Sequence, residues 1–95
     1  MTLPDVLIVG GGVIGCALAR ELAHAGVRVL VLERTRPGAE ASEAAAGMLA
    51  PLAEAGEAGA FLDLLRESRK RFPALAAALR EESGIDIGYR QDGTL

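Results

Sequence analysis

The chain has 95 residues, 51% of them hydrophobic, and a formal net charge of −3. This composition excludes a disordered chain and predicts at most one small globular domain. The basic residues are scattered or paired with acids, which argues against nucleic acid as a partner, and no apolar run reaches the length of a membrane span. Cys16 is the only cysteine, which excludes an intramolecular disulfide and favours a reducing cytoplasm. We predict a small buried side chain there, with a reactive thiol as the alternative.

The first predicted element is a strand that runs into a glycine-rich turn. The apolar stretch from Asp5 to Val9 predicts the strand, and Gly10, Gly12 and Gly15 fit the G-x-G-x-x-G fingerprint of dinucleotide-binding folds. In that motif the first glycine turns the chain into a helix. The second lets a pyrophosphate approach the backbone, and the third lets the helix pack closely on the sheet. An unrelated glycine-rich turn is the weaker alternative, because the flanking segments also agree.

A helix and a second strand are predicted next. Ile14, Leu18 and Leu22 recur every four residues, which is typical of an amphipathic helix. Gly26 is predicted to end that helix, because glycine takes the left-handed cap conformation without steric cost. The apolar, β-branched run from Val27 to Leu32 predicts the second strand.

Glu33 follows the second strand and completes the pattern. The free N–H groups of Gly12 to Ile14, together with the helix dipole, would attract phosphates. Glu33 would accept hydrogen bonds from an adenosine ribose. A carboxylate at this position disfavours a 2′-phosphate, so NADP is the least favoured ligand. The fingerprint by itself does not separate FAD from NAD.

Residues 33–59 change in character and are predicted to be a loop. Arg36-Pro37-Gly38 indicates a turn. By propensity Ala39 to Ala46 would form a helix, although small side chains also let backbone lie close to a ligand. We predict an extended or briefly helical loop packed on a ligand. Met48 and Leu49 within the segment weaken the alternative, an exposed linker.

A long helical segment and the start of a hairpin are predicted for the rest of the chain. Residues 60–84 read as helical, and Pro73 either begins a second helix or kinks a single one. Ile85 to Tyr89 alternates like a short strand, with Tyr89 as a packing residue. Asp92-Gly93 is a hairpin signal, so residues 85–95 would start a hairpin. One apolar face of the helix is predicted to consist of Phe61, Leu65, Ser68, Phe72, Leu75 and Leu79.

These elements predict the α/β class, with a Rossmann-like β-α-β unit. A dinucleotide-binding half has further parallel strands, and parallel strands are normally covered on both faces. Residues 1–95 are therefore predicted to be an incomplete domain, the N-terminal portion of a larger protein whose substrate domain is absent, or to form a homo-oligomer. No metal-ligand spacing and no catalytic residue is evident in the sequence.

Three features together resemble one known family: Gly10 to Gly15 (GGGVIG), Glu33, and Ala44 to Pro51 (AAAGMLAP). They are similar to the glycine oxidases of the D-amino-acid oxidase family, FAD flavoenzymes linked to thiazole formation in thiamine biosynthesis. The AAAGMLAP stretch is the more specific motif. The similarity extends to Asp92-Gly93-Thr94-Leu95 and so covers nearly the whole chain, but only the N-terminal part of such an enzyme.

The resemblance implies a set of FAD-binding residues and makes residues 33–59 a flavin-contacting loop. One departure from the family's pattern is Glu43, which stands where relatives often carry a neutral or aromatic residue. The residues that clamp the substrate would lie beyond Leu95. The implied cofactor contacts are Gly10, Gly12, Val13, Ile14 and Gly15 with the pyrophosphate, Glu33 and Arg34 with the adenosine, Ala41 and Ser42 with the pyrophosphate and linker, and Ala46, Gly47, Met48 and Leu49 with the isoalloxazine.

The resemblance also implies an oxidative deamination. Hydride passes from the α-carbon of glycine, or of another small amino acid or amine, to flavin N5. Dioxygen then takes up the electrons as hydrogen peroxide, and the imine hydrolyses to a keto acid and ammonia. Two other hypotheses stay open: an FAD dehydrogenase of the same fold with another acceptor, and a stand-alone or split nucleotide-binding or interaction module.

Overall fold

The computed structural model describes residues 3–51 and 55–92. The chain divides into two compact units, Met1–Gly47 and Met48–Leu95, which are described separately. Among residues 3–51 and 55–92, the first unit contains two strands and two helices, and the main element of the second is a long helix. In chain order the elements are β1 (Val6–Val9), α1 (Val13–His24), β2 (Val29–Leu32), α2 (Ala41–Ala44) and α3 (Ala60–Ser83).

The two strands of the first unit pair in parallel, as the predicted β-α-β unit requires. The register joins Val6 to Val29 and Val9 to Leu32. The ladder continues beyond the strand ends, where the N–H of Gly10 donates to the carbonyl of Leu32 at 2.8 Å. At the other end the Asp5 carboxylate accepts two hydrogen bonds from the Arg28 guanidinium, at 2.9 and 3.1 Å.

Helix α1 covers only one face of this small sheet. Ile8, with 8% of its surface exposed, is a core residue of the unit, and the helix presents Gly15, Ala19 and Leu22 as its half-buried side. The predicted helix face is wrong in part, because Ile14 is 82% exposed. The close approach at Gly15 decides which side of the helix meets the sheet. The opposite sheet face stays exposed and consists of Leu7, Val9, Leu30 and Leu32.

The loop that follows β2 is briefly helical, in the form predicted. Turn residues 37–40 lead into α2, which is a single turn, and residues 45–50 have no regular secondary structure. Gly38 has φ of +75°, a left-handed conformation that suits the predicted Arg36-Pro37-Gly38 turn. Whether this segment contacts a ligand is not tested by its conformation, and that role stays a prediction.

In the second unit, the chain around Pro73 forms one continuous helix of 24 residues, α3. Of the two alternatives, a single helix is therefore correct, although proline removes the N–H that would bond to the carbonyl of Arg69. The helix ends at Gly84, which has φ of +74° and donates its N–H to the carbonyl of Arg80 at 2.8 Å. Leu62 is the buried side chain of α3, with 4% exposed. Across the described residues, we find no helix that combines the length and the apolarity needed to cross a membrane.

The strand predicted over Ile85 to Tyr89 is not formed, and residues 85–92 have no regular secondary structure. A strand needs a hydrogen-bonded partner, and the predicted return strand, with Gly93 of the turn, lies outside the described residues. Tyr89 is a packing residue, but its partner is a helix side chain. Its ring stacks on Phe72 with centroids 6.0 Å apart and planes at 26°.

Candidate functional site

The turn between β1 and α1 has the geometry that the glycine fingerprint predicts. Gly10 has φ of +104°, a conformation that favours glycine. At Gly15 the requirement for glycine is steric. A Cβ built at Gly15 would lie 2.0 Å from the carbonyl oxygen of Gly10 and 3.4 Å from Ile8. Any side chain at Gly15 would therefore push the first turn of α1 away from the end of β1.

The N-terminus of α1 is in contact with the segment that contains α2. The backbone N–H of Val13 donates to the hydroxyl oxygen of Ser42 at 2.8 Å. Gly12 allows this approach, because a Cβ at that position would lie 3.1 Å from the same oxygen. A polar hydroxyl therefore lies beside the backbone where the fingerprint predicts a phosphate.

The carboxylate of Glu33 is fixed by backbone donors on both sides. Its Oε1 accepts the N–H of Gly11 at 3.0 Å, and its Oε2 accepts the N–H of Thr35 at 2.9 Å. These hydrogen bonds, that of Thr35 first and that of Gly11 second, lower the pKa of Glu33 below its ordinary value. The half-buried side chain is therefore an ionised acceptor at neutral pH. Oε2 also accepts the hydroxyl of Thr35 at 3.3 Å, whereas Oε1 retains a lone pair for a further donor.

A cleft of about 490 Å³ opens beside the helix N-terminus. It has one cation and one anion in its lining, and these form an ion pair, since Nη2 of Arg36 lies 2.9 Å from Oε2 of Glu43. Both side chains are exposed, so the pair stabilises the fold little. The lining residues are Gly11, Gly12, Val13, Cys16, Arg36, Pro37, Gly38, Ser42 and Glu43.

The predicted site residues distribute unevenly around this cleft. Gly12, Val13 and Ser42 line it, whereas Gly10 and Gly15 shape the turn beneath it. Arg34 forms an ion pair with Glu40. The remaining predicted residues of the first unit, Ile14, Glu33, Ala41, Ala46 and Gly47, are not among the lining residues.

Sequence reasoning missed several residues of the cleft. Gly11 has no role in the fingerprint, yet it is buried and lies against Glu33. The sequence predicts only a turn at Arg36-Pro37-Gly38, although the position of this turn shortly after Glu33, the predicted ribose acceptor, is a signal for the cleft. Cys16 is exposed, so the predicted buried side chain is wrong. Its Sγ lies 3.3 Å from the carbonyl oxygen of Gly11, which it meets as a donor.

The four residues predicted to line an isoalloxazine fall into different units. Ala46 and Gly47 belong to the first unit, and Met48 and Leu49 to the second. In the second unit, Met48 and Leu49 border an apolar groove of about 300 Å³. The grouping of the four around one ligand stays a prediction. The other groove residues are Ala50, Pro51, Phe61, Leu65, Ser68, Arg69 and Phe72.

Comparisons with known proteins agree with this geometry. The family described as FAD dependent oxidoreductase matches residues 5–95. A glycine oxidase of Geobacillus kaustophilus is 47% identical over 96% of this chain, and a bifunctional protein ThiO/ThiG of Synechocystis is 45% identical over 99%. The crystal structure of a glycine oxidase from Bacillus cereus superposes with a TM-score of 0.86, at 46% identity over 96% of this chain. These likenesses confirm the predicted fold class.

The match covers only part of each relative. The chain spans 24% of the length of the Geobacillus glycine oxidase, 14% of the ThiO/ThiG protein and 24% of the Bacillus cereus chain. What lies in the remaining length of those proteins has no counterpart among these 95 residues.

Proposed function

The chain belongs to the family of FAD-dependent oxidoreductases, and we propose from that membership that the protein binds FAD and oxidises glycine or another small amino acid or amine. FAD is the cofactor of the family, which decides between the two dinucleotides that the fingerprint left open. The activity is proposed for the full-length protein.

One observation carries the proposal for this chain: the carboxylate of Glu33 is bound to the glycine turn itself, through the N–H of Gly11. The turn is the place for a pyrophosphate and the carboxylate is the place for the adjoining ribose. The hydrogen bond would therefore hold the two halves of the proposed adenosine-diphosphate site in place relative to each other. A dinucleotide that contains adenosine fits both.

The fit extends to the atoms that would meet the phosphates. Gly12 carries no Cβ, and the Val13 N–H already meets an oxygen, that of Ser42. A hydroxyl that accepts one hydrogen bond still donates another. Ser42 would thus accept a hydrogen bond from the Val13 N–H and donate one to a phosphate oxygen. The pyrophosphate site proposed here consists of Gly10, Gly12, Val13, Ile14, Gly15, Ala41 and Ser42.

The remaining contacts proposed for FAD involve the adenosine and the flavin ring. Glu33, ionised at neutral pH, would accept hydrogen bonds from the ribose hydroxyls, and its charge would repel a 2′-phosphate. Arg34 would lie beside the adenosine. The isoalloxazine would be lined by Ala46, Gly47, Met48 and Leu49.

The bound flavin would supply the redox chemistry, since it accepts two electrons from an α-carbon and transfers them to dioxygen. The described residues would bind and orient it, and we assign no proton transfer to them. In the overall reaction an amino acid, dioxygen and water give a keto acid, ammonia and hydrogen peroxide. The glycine oxidases and the ThiO/ThiG protein among the relatives support glycine as substrate and a role in thiamine biosynthesis.

The test uses the purified full-length protein. Denaturation should release FAD, identified by absorbance and mass, and turnover of glycine in air should produce peroxide and ammonia in equal amounts. Bound NAD without flavin would overturn the cofactor assignment. FAD with turnover by an artificial acceptor but no peroxide would favour the dehydrogenase hypothesis, and flavin binding only with a second polypeptide would favour the split-module hypothesis.

A further inference from the structure

Gly11 is the middle residue of the three consecutive glycines and has no role in the fingerprint. In the structure its peptide groups contact three separate parts of the first unit. Its N–H donates to Oε1 of Glu33 at 3.0 Å, and its carbonyl oxygen accepts the N–H of Gly38 at 2.8 Å. The same carbonyl lies 3.3 Å from Sγ of Cys16. Gly11 therefore joins the turn, the end of β2 and the loop beyond it.

The absence of a side chain at Gly11 leaves room for the side chain of Glu33. A Cβ built at Gly11 would lie 3.2 Å from both Cβ and Cγ of Glu33 and 3.5 Å from Oε1. These distances are tight, so the glutamate side chain would have to move. The backbone of Gly11 is outside the left-handed region. Alanine is therefore compatible with the backbone there, and the expected effect of the substitution falls on Glu33.

We propose that Gly11 is a positioning residue that fixes the Glu33 carboxylate for the adenosine ribose, and thereby favours FAD over flavins that lack adenosine. The inference rests on the proposed FAD site. A free glutamate side chain samples several rotamers. The Glu33 side chain instead has a backbone N–H donor on each carboxylate oxygen, and it packs closely on the backbone of Gly11. The carboxylate is therefore already in place before the ribose arrives, and the binding free energy is not spent on ordering it.

The experiment measures the affinities of the full-length apoprotein for FAD and for FMN, which carries the same ring and one phosphate but no adenosine. Gly11→Ala should weaken FAD binding about ten-fold, the effect of one misplaced hydrogen bond to a charged group. It should leave FMN binding unchanged. Ala17→Ser is the control, because Ala17 is exposed on α1 and takes part in none of the hydrogen bonds of Glu33. It should bind both flavins like the wild type.

Two further readouts separate positioning from general damage. In a Glu33→Ala background, Gly11→Ala should cause little additional loss of FAD affinity, because no carboxylate remains to be misplaced. The pH at which FAD is released on acidification should rise in Gly11→Ala, because the Gly11 N–H is one of the donors that lower the pKa of Glu33. A general structural defect would also lower FAD affinity in the Glu33→Ala background, and it would not raise the pH of FAD release through Glu33.

Glu33→Asp decides the question if Gly11→Ala does not fold. The shorter side chain keeps the charge but withdraws the carboxylate from the Gly11 N–H, so FAD affinity should fall as it does in Glu33→Ala. Wild-type FAD affinity in Glu33→Asp or in Gly11→Ala would overturn the inference while leaving the proposed function intact. A wild-type protein that binds no FAD would overturn both.

Discussion

The hydroxyl oxygen of Ser42 accepts the backbone N–H of Val13 at 2.8 Å, across 29 positions of the sequence. Val13 is the first residue of α1, where the backbone N–H groups have no acceptor within the helix. The contact brings the turn that contains α2 onto the N-terminus of the helix. The side chain of Ser42, in α2, therefore caps the N-terminus of α1.

Ser42→Ala should weaken FAD binding about five- to ten-fold, because it removes a neutral hydrogen bond and the hydroxyl proposed to reach the phosphate. Ser42→Thr retains the hydroxyl and is the matched control. The dissociation constant follows from the fluorescence quenching of added FAD. Equal affinity in the alanine variant would exclude Ser42 from the phosphate site.

Gly12→Val should abolish FAD binding while leaving the helical circular-dichroism signal of the full-length protein largely intact. A Cβ at Gly12 already lies 3.1 Å from Ser42 Oγ, and the branched side chain would fill the space meant for the pyrophosphate. Val13→Ala changes an exposed neighbouring side chain and keeps the N–H donor, so it should bind FAD normally. Unchanged affinity in Gly12→Val would contradict the phosphate-loop assignment.

Gly15→Ala should destabilise the fold, and not only the site, by about 2–3 kcal/mol or more, as overpacking against rigid backbone does. Its Cβ would lie 2.0 Å from the Gly10 carbonyl oxygen. Chemical unfolding of the full-length protein measures the loss. Ala17→Ser, on the exposed side of the same helix, should stay within about 0.5 kcal/mol of the wild type. Equal stability of Gly15→Ala would mean that β1 and α1 are not so close.

FAD affinity should be constant near neutral pH and fall only below the ordinary glutamate pKa of 4.5. The pKa of Glu33 is lowered in the folded protein, first by the N–H of Thr35 and then by that of Gly11. Glu33 therefore stays ionised in the folded protein above its ordinary pKa, and only at lower pH does it become protonated and lose its charge as an acceptor for the ribose. Equilibrium titration of flavin release checks this. Glu33→Gln should bind FAD more weakly at neutral pH and lack the acid-dependent step, and persistence of that step would assign it to another group.

The 95-residue chain by itself should self-associate through the uncovered face of the sheet. Leu7 and Leu30 are paired in register there and are 57% and 47% exposed, which is unusual for a parallel sheet. Leu7→Lys with Leu30→Lys should lower the mass seen by analytical ultracentrifugation, whereas Leu3→Lys, off the strands, should not. A wild-type monomer with a sharp thermal transition would contradict the prediction.

The elements of the first unit could be predicted from sequence because their signals are local. Strand, glycine turn, helix and second strand follow from runs of neighbouring residues, and the stop at Gly26 follows from glycine's freedom at positive φ. The signal over Ile85 to Tyr89 is weaker, because alternation describes only which side chains share a face, and residues 85–92 have no regular secondary structure. A strand forms when another segment supplies the hydrogen bonds, and Tyr89 instead stacks on Phe72.

The sequence by itself determined that this chain begins with a dinucleotide-binding β-α-β unit, that an acid follows the second strand, and that the chain resembles the FAD-dependent glycine oxidases. Tertiary structure decided which atoms meet. The exposure of Ile14 and Cys16, the contact of Ser42 with Val13, and the hydrogen bond from Gly11 to Glu33 depend on how closely distant segments approach. Periodicity assigns a residue to a face, but only the packing of α1 on the sheet at Gly15 fixes where that face points.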